Sequence, residues 1–315
     1  MGETIKGYKG FNKDMTCRGK QYKENTTYEE DETEICEAGM MHFCENPYDV
    51  LDYYPLVNED GDISDFAEVE AVGEVKKDGN KSATNKLHIG AKLGLKGFVK
   101  ACVDFTIEKT RIENAEECTD YDNGKNSAQI GSSGDYAQIG SSGNSAQIGS
   151  SGDYAKIGSS GDSAKIGSSG NSAKIGSSGD SAQIGSSGDY AQIGSSGDYA
   201  KIGSSGDSAK IGSSGDSAKI GSSGYSAKIG SSGDYAKITS IGKNSVVMAA
   251  GYSSIARAKI GSWITLAEWV KTGEKNENGF YIWIPKCVKT EYVDGERIKE
   301  NTFYKLVDGE FKECE

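Results

Sequence analysis

The chain has 315 residues with a formal net charge of −12 at pH 7, and it contains 43 glycines but only three prolines. No apolar segment near Met1 has the character of a signal peptide, and no apolar run reaches the length of a membrane span. The seven cysteines are an odd number, which favours reduced thiols over a disulfide framework. These features exclude a membrane protein and indicate a cytoplasmic one.

Residues 1–75 predict a small α+β domain with an acidic surface. Between Glu24 and Val75 there are 17 acidic residues and no Lys or Arg. A field of one sign attracts molecules of the opposite sign, so this surface predicts a protein partner, possibly a basic one. A solvated surface without a partner explains the same residues. Direct binding of nucleic acid is not expected, because phosphate contacts need Lys and Arg.

Several elements can be placed within this domain. Strands are expected at Ile5–Phe11, Glu34–Cys36 and Phe66–Val72, the last because apolar and polar residues alternate. Asn46 and Pro47 predict the start of a helix that runs to Tyr54, since Asn caps helices and Pro fits their first turn.

Residues 76–125 are interpreted as a connector and N-terminal cap of the segment that follows. Two alternatives exist for Leu93–Thr110, a helix with one apolar face or strands that lead into the repeats. We favour a helix that covers the first coil of the repeat structure.

Residues 126–260 predict a parallel β-solenoid. From Asn126 to Gly233 one nine-residue unit, (Asp/Asn)-(Ser/Tyr)-Ala-(Lys/Gln)-Ile-Gly-Ser-Ser-Gly, is repeated twelve times, with Tyr225 in place of Asp in one copy. A short fixed period is typical of solenoids, in which each unit buries its apolar side against its neighbours. Ala and Ile are two positions apart, so a strand points both to one face, with Tyr and Gln or Lys on the other.

The remaining residues of each unit predict a corner. We expect the two glycines to supply positive φ angles there, and Asp or Asn to hydrogen-bond the turning backbone. Two units per coil of 18 residues is the favoured closure, and a three-sided coil of 27 residues is the alternative. Beyond the thirteenth unit the pattern weakens, and Val246–Ala250 and Ile255–Ala258 are interpreted as a sealing coil.

Residues 261–315 predict a C-terminal cap in the form of a β-meander. Alternating residues at Trp263–Trp269 and strand formers at Tyr281–Ile284 support this interpretation. The whole chain is thus expected to be dominated by β-structure.

The chain also resembles a family of uncharacterised proteins from bacteria and their phages. The motifs that carry the resemblance are Gly-Tyr-Lys-Gly-Phe, Cys-Arg-Gly-Lys-Gln-Tyr and Met-His-Phe-Cys-Glu-Asn-Pro near the N-terminus. The resemblance implies the same layout of N-terminal domain, tandem repeats and C-terminal tail, and it implies no particular activity.

The N-terminal domain offers two candidate sites. Arg18, His42, Tyr53 and Glu70 could line a pocket loosely similar to those of ADP-ribosyltransferases, with Arg on a phosphate and Glu on a ribose. A weaker candidate is a zinc site made of Cys17, Cys36, His42 and Cys44, whose spacing is unlike that of common zinc modules. Structural residues and buried thiols account for both sets, so we expect neither a cofactor nor a metal.

The repeats offer candidate binding residues of another kind. Aromatic side chains that protrude from a flat sheet are strong anchors at interfaces, and five tyrosines are our candidates: Tyr136, Tyr154, Tyr190, Tyr199 and Tyr235. Calcium binding by the Asp column is a weaker alternative, since a turn-capping Asp explains the pattern. Ice binding is also weak, because outward columns of Ser, Lys, Gln and Tyr lack the Thr ranks of an ice plane.

The sequence therefore predicts a non-enzymatic structural or binding protein of phage or mobile-element type. The solenoid would act as a rigid spacer or as a repetitive display surface. Alternatives are an inhibitor that captures a host protein with its acidic surface, and a small-ligand site in residues 1–75.

Overall fold

The structure is a computed structural model, and it describes residues 4–30, 40–110, 120–122 and 126–314. The described chain is dominated by β-strands, as expected. The predicted strand Glu34–Cys36 lies outside the described residues.

The N-terminal domain contains a four-stranded antiparallel sheet in the order β1-β6-β9-β4, a three-stranded sheet β5-β8-β7 and the short pair β2-β3. Strands β6 and β9 pair directly, so this domain continues past the boundary predicted at residue 75. The strands are β1 Ile5–Phe11, β2 Thr16–Cys17, β3 Lys20–Gln21, β4 Thr26–Glu29, β5 Met41–Phe43, β6 Asp65–Ala71, β7 Val75–Asp78, β8 Lys81–Thr84 and β9 Lys86–Leu93.

Two helices belong to the same domain. Helix α1 covers Pro47–Val50, shorter than predicted, and the side chain of Asn46 caps it by accepting a hydrogen bond from the Tyr48 amide at 3.0 Å. Helix α2 covers Leu95–Thr110. Of the two alternatives for this segment, the helix is the observed one.

The repeats form a solenoid with two strands per coil, in about eight coils of roughly 18 residues. Alternate units enter two different parallel sheets, and each strand pairs with the one 18 residues later, as Gln129 does with Gln147. The strands of the repeat region are β10 Asp120–Asp122, β11 Gln129–Ser132, β12 Gln138–Ser141, β13 Gln147–Ser150, β14 Lys156–Ser159, β15 Lys165–Ser168, β16 Lys174–Ser177, β17 Gln183–Ser186, β18 Gln192–Ser195, β19 Lys201–Ser204, β20 Lys210–Ser213, β21 Lys219–Ser222, β22 Lys228–Ser231, β23 Lys237–Ser240, β24 Val246–Ala249 and β25 Ile255–Ala258.

Ala and Ile fill the space between the two sheets. Ile148, Ile184, Ile202 and Ile220 are completely buried, and the Ile side chains of both sheets belong to one continuous core. The Ser that follows the first Gly of each unit, such as Ser150, also points inward, whereas an outward Ser column was expected. The outward residues of a strand are therefore the Lys or Gln at its start and the Gly two positions later.

The corners differ from the prediction in one physical respect. Positive φ occurs at the second residue of each unit, such as Tyr136 at 60° and Ser217 at 56°, and not at the repeat glycines. The second Gly is needed for space instead, because a Cβ on Gly152 would lie 1.9 Å from the carbonyl oxygen of Gly134 in the neighbouring coil. The expected hydrogen bond from Asp to the turning backbone is present. The Asp135 carboxylate accepts a hydrogen bond from the backbone amide of Asp153, one coil further on, at 2.9 Å.

The coil continues where the repeat sequence weakens. Strand β24 pairs with β22 and β25 with β23, both at the same 18-residue offset as before. Asn244 and Ser253 keep the positive φ of the second position. Residues 243–258 are therefore further coils of the solenoid with altered side chains.

The C-terminal residues extend both sheets with antiparallel hairpins. Strand β26 pairs with β24 and carries β27, while β28 pairs with β25 and carries β29. The predicted β-strands are thus present, and they are continuous with the solenoid. Their bounds are β26 Trp263–Lys275, β27 Tyr281–Tyr292, β28 Phe303–Val307 and β29 Glu310–Cys314.

The N-terminal domain lies along one face of the solenoid. Helix α2 contacts β11, β13, β15, β17 and β19 in succession, so it crosses the outer face of their sheet. Helix α2 therefore lies over more than the first coil for which it was predicted, because it extends across five successive strands. We call the sheet under α2, β11 to β25 in odd numbers with β28 and β29, the covered sheet. The other, β10 to β26 in even numbers with β27, is the open sheet.

Candidate functional site

The two solenoid faces are built from the same residues but have different surroundings. Each presents one column of Lys or Gln and one column of Gly, because each nine-residue unit contributes one strand. On the covered sheet these columns contact the N-terminal domain. On the open sheet they face solvent, as the exposed residues of β14, β16, β18 and β20 show.

Carboxylates of the N-terminal domain neutralise the cationic column of the covered sheet. Lys165 pairs with Asp52 at 2.6 Å, and Lys219 pairs with Glu59. The hydrogen bond from Lys219 is the main cause of a lowered Glu59 pKa. Further along, Arg257 pairs with Asp62 at 2.6 Å. Part of the acidic segment is thus directed at basic residues of the same chain.

The glycine column of the covered sheet receives aliphatic side chains. A Cβ on Gly203 would lie 3.3 Å from Leu95, and one on Gly185 would lie 2.7 Å from Val99. Helix α2 can approach this closely because the glycines leave a flat track. Near the N-terminal end of the covered sheet, the Tyr48 hydroxyl donates a hydrogen bond to the Ile148 carbonyl in β13 at 2.9 Å.

The middle of the open sheet's glycine column has no such contact with the residues that the structure describes. A Cβ on the glycine of β14, β16, β18 or β20 would meet no atom within 4 Å. A shallow trough of about 1460 Å³ follows this column and ends near Val246, Met248 and Thr265. Its four lysines are exposed and form no ion pair within the part of the chain that the structure describes: Lys156, Lys174, Lys210 and Lys228.

The five candidate tyrosines lie at corners and are divided between two edges. Tyr136, Tyr154 and Tyr190 precede open-sheet strands, whereas Tyr199 and Tyr235 precede covered-sheet strands. All five are more than half exposed, and the Tyr136 and Tyr154 rings stack at 5.0 Å. They do not protrude from a flat sheet face as expected, because the second position of the unit is in the turn and not in the strand.

Three of the candidate pocket residues do come together. Arg18, His42 and Tyr53 line a cavity of about 930 Å³ in the N-terminal domain, which Lys201 of the solenoid also borders. Glu70 lies outside this group and pairs with Lys6 at 3.7 Å. The full set proposed for a transferase-like pocket is therefore not assembled.

Lys9 is a cavity residue that sequence reasoning missed. Its side chain is buried, and its ammonium donates to the His42 carbonyl at 2.8 Å. Burial lowers the Lys9 pKa, and the contact with Cys17 opposes that shift. Lys9, Gly10 and Phe11 at the end of β1 are all buried, so no alternation in the sequence indicates that the Lys9 side chain points inward.

The cysteines have the character of core residues. Cys17 and Cys44 are buried free thiols, and burial raises the Cys44 pKa to about 12. Cys36 lies outside the described residues. Among those described, no group of three or more His, Cys, Asp or Glu could hold a metal ion.

The structure thus defines a two-sheet parallel β-solenoid with a domain docked on one face. A family model described as a domain of unknown function, DUF7666, matches residues 5–101. No curated protein and no solved structure matches the chain. Within the described ranges, no helix is long and apolar enough to cross a membrane.

Proposed function

We propose that the protein is a non-enzymatic binding scaffold of phage or mobile-element type whose open sheet receives a protein partner. One observation carries this proposal: two faces of equal chemistry exist, and among the residues that the structure describes only one of them is covered. The solenoid holds the N-terminal domain along its length, so display on the open face is favoured over a role as a spacer between the flanking domains.

Substitution of Gly194 on the open sheet tests this function. A Gly194→Trp side chain would enter the trough from a position with free space, because no atom lies within 4 Å of the position of its Cβ. Immobilised wild-type protein should retain a partner from a bacterial lysate, and this variant should lose it. Lys96→Trp, on the exposed side of α2 and outside the open sheet, is the control. Equal capture by wild type and Gly194→Trp would refute the proposal.

A second candidate function is binding of a small anionic ligand in the N-terminal cavity. Its support is the convergence of Arg18, His42 and Tyr53 on one cavity with buried Lys9. Within the described residues, Lys9, Arg18 and Lys201 form no ion pair with a carboxylate. Basic side chains that no carboxylate neutralises in a concave site favour phosphate or carboxylate groups.

Calorimetric titration with ATP and ADP-ribose tests this second candidate. Wild type should bind one of them, and Arg18→Ala should weaken binding by about tenfold, as expected for a lost charge-assisted hydrogen bond. Lys96→Ala, on the exposed side of α2, should bind like wild type. Absence of binding for both probes, or binding that Arg18→Ala leaves unchanged, would count against the site.

A further inference from the structure

We infer that the partner of the open sheet is an α-helix with aliphatic residues at i, i+4 and i+8, flanked by carboxylates. This inference rests on the proposed function and adds the chemistry of the partner. Its basis is that the chain already contains one example of how this surface is recognised, on its covered side.

Helix α2 shows how a helix matches the glycine column. Leu95 lies against Gly203, Val99 against Gly185 and Val103 against Gly167, with distances to the built Cβ of 3.3, 2.7 and 3.3 Å. Each step of four residues along α2 therefore advances one coil along the solenoid. The match arises because four helical residues rise about 6 Å and parallel strands lie about 4.8 Å apart, a difference that an inclined helix accommodates over three coils.

The open sheet repeats this geometry, and none of the described residues outside the solenoid occupies its glycine column. Its glycines follow one another at the same 18-residue interval, so they form a track of the same spacing as the one under α2. A helix of four turns would span it: Gly158, Gly176, Gly194 and Gly212.

Charge determines which helix fits. On the covered sheet the Lys and Gln column meets carboxylates, including Asp52 with Lys165 and Asp49 with Gln147 at 3.3 Å. The corresponding lysines of the open sheet have no carboxylate partner among the described residues. An acidic helix would complete the same pattern, whereas a second copy meeting this chain face to face would place Lys against Lys.

The C-terminal end of the trough adds an apolar anchor point. Val246, Met248 and Trp263 are 44–46% exposed and lie on adjacent strands β24 and β26. Exposed apolar side chains grouped at one end of a groove indicate a protein partner, since a polyanion would gain from the lysines alone. The observations therefore favour an amphipathic acidic helix over a nucleic acid.

Binding of designed peptides to the full-length protein tests this inference. The probe is a fluorescent 18-residue helical peptide with Leu or Val at i, i+4 and i+8 and Glu on both sides, and a second peptide carries Lys in place of Glu. Anisotropy should show binding of the acidic peptide to wild type. Lys174→Glu combined with Lys210→Glu should weaken it by about tenfold and favour the Lys peptide. The charge-matched control combines Lys96→Glu with Lys305→Glu, both outside the open sheet.

The outcomes separate the partner's chemistry from the proposed function. Loss of the acidic peptide in the open-sheet variant but not in the control supports the inference. Equal binding to both variants overturns it, as does preference for a single-stranded DNA oligonucleotide or self-association through this face. In those cases the proposed function stands if Gly194→Trp still abolishes capture of a partner, and falls if it does not.

Discussion

Glycine has two separate roles within one repeat. The first Gly of each unit faces outward and leaves a flat track, whereas the second lies where neighbouring coils almost touch. Sequence alone shows two invariant glycines and cannot tell a need for space from a need for positive φ. The positive φ falls instead on Ser or Tyr, whose amide is held by the next coil, as Ser145 is by the Asp162 carbonyl at 2.8 Å.

Paired alanine substitutions should distinguish the two glycines. In Gly215→Ala the new methyl would lie 2.1 Å from the Gly197 carbonyl oxygen, and we expect the free energy of unfolding to fall by about 2–3 kcal/mol through overpacking. Gly212→Ala meets no atom within 4 Å, so its effect should be under about 1 kcal/mol. Urea denaturation followed by circular dichroism measures both. Similar losses for the two variants would show that the roles are not separate.

At the scale of elements, local patterns predicted secondary structure better than placement. The strand and corner of each unit follow from a nine-residue period, and the Asn46 cap and helix α2 follow from local sequence. The position of α2 could not be predicted, because a uniform repeat presents the same columns on both faces. Only contacts distant in sequence, such as Leu95 with Gly203, decide which face is covered.

Docking of α2 should depend on the glycines of one sheet only. Gly185→Leu would force a side chain into Val99, 2.7 Å from the built Cβ, and should detach α2 from the solenoid. Gly194→Leu makes the same change in the open sheet, where no atom lies within 4 Å, and should leave α2 in place. Hydrogen exchange of amides in α2 measures the difference, with faster exchange expected for Gly185→Leu alone. Unchanged exchange in that variant would contradict the docking geometry.

The C-terminal hairpins should show a distinct acid transition. Glu268 on β26 accepts hydrogen bonds from Lys286 at 2.7 Å and from the Gly309 amide at 2.8 Å, and these lower its pKa from 4.5 to about 2. A carboxyl group whose pKa is lowered by folding contributes its full stabilisation when the pH is above its pKa in the unfolded chain. This contribution is lost as the pH falls from about 4.5 to about 2.

Tryptophan fluorescence can follow this transition selectively, since the three tryptophans are all in β26 and β27. In wild type, the midpoint temperature of unfolding that this fluorescence reports should decrease as the pH is lowered from 5 to 2.5. In Glu268→Gln it should already be lowered at pH 5 and change less on acidification. A wild-type midpoint that parallels the variant's across this range would rule out Glu268 as the titrating group.

For the whole molecule, the N-terminal domain and the number of coils are matched in length. One end of the domain is held by the Tyr48 hydroxyl at Ile148, and the other by Asp62 at Arg257 and by the Gly61 carbonyl, which accepts from the Thr239 hydroxyl at 2.7 Å. The sequence predicted a solenoid that is separate from the N-terminal domain and acts as a rigid spacer or a display surface. The docked domain removes that independence, since its two ends are fixed to coils a set distance apart.

Deleting repeats should therefore have effects that depend on register. Removal of residues 180–197, one whole coil, keeps each strand in its sheet but shortens the solenoid by about 4.8 Å. The contacts at Ile148 and Arg257 could then not both be kept, so the Asp62–Arg257 pair would open to solvent. Hydrogen exchange should show a folded solenoid with increased opening at residues 58–64.

Removal of nine residues, 189–197, should be far more damaging than removal of 18. Every later strand would change sheets, so Arg257 and Thr239 would lie on the open side and the domain could not dock along its length. We expect loss of cooperative thermal unfolding in this variant and its retention in the 18-residue deletion, because only the latter preserves the face that α2 recognises. If the nine-residue deletion were tolerated better, docking of the N-terminal domain would not depend on which sheet carries its contact residues. The distinction between covered and open sheets would then lose its physical basis.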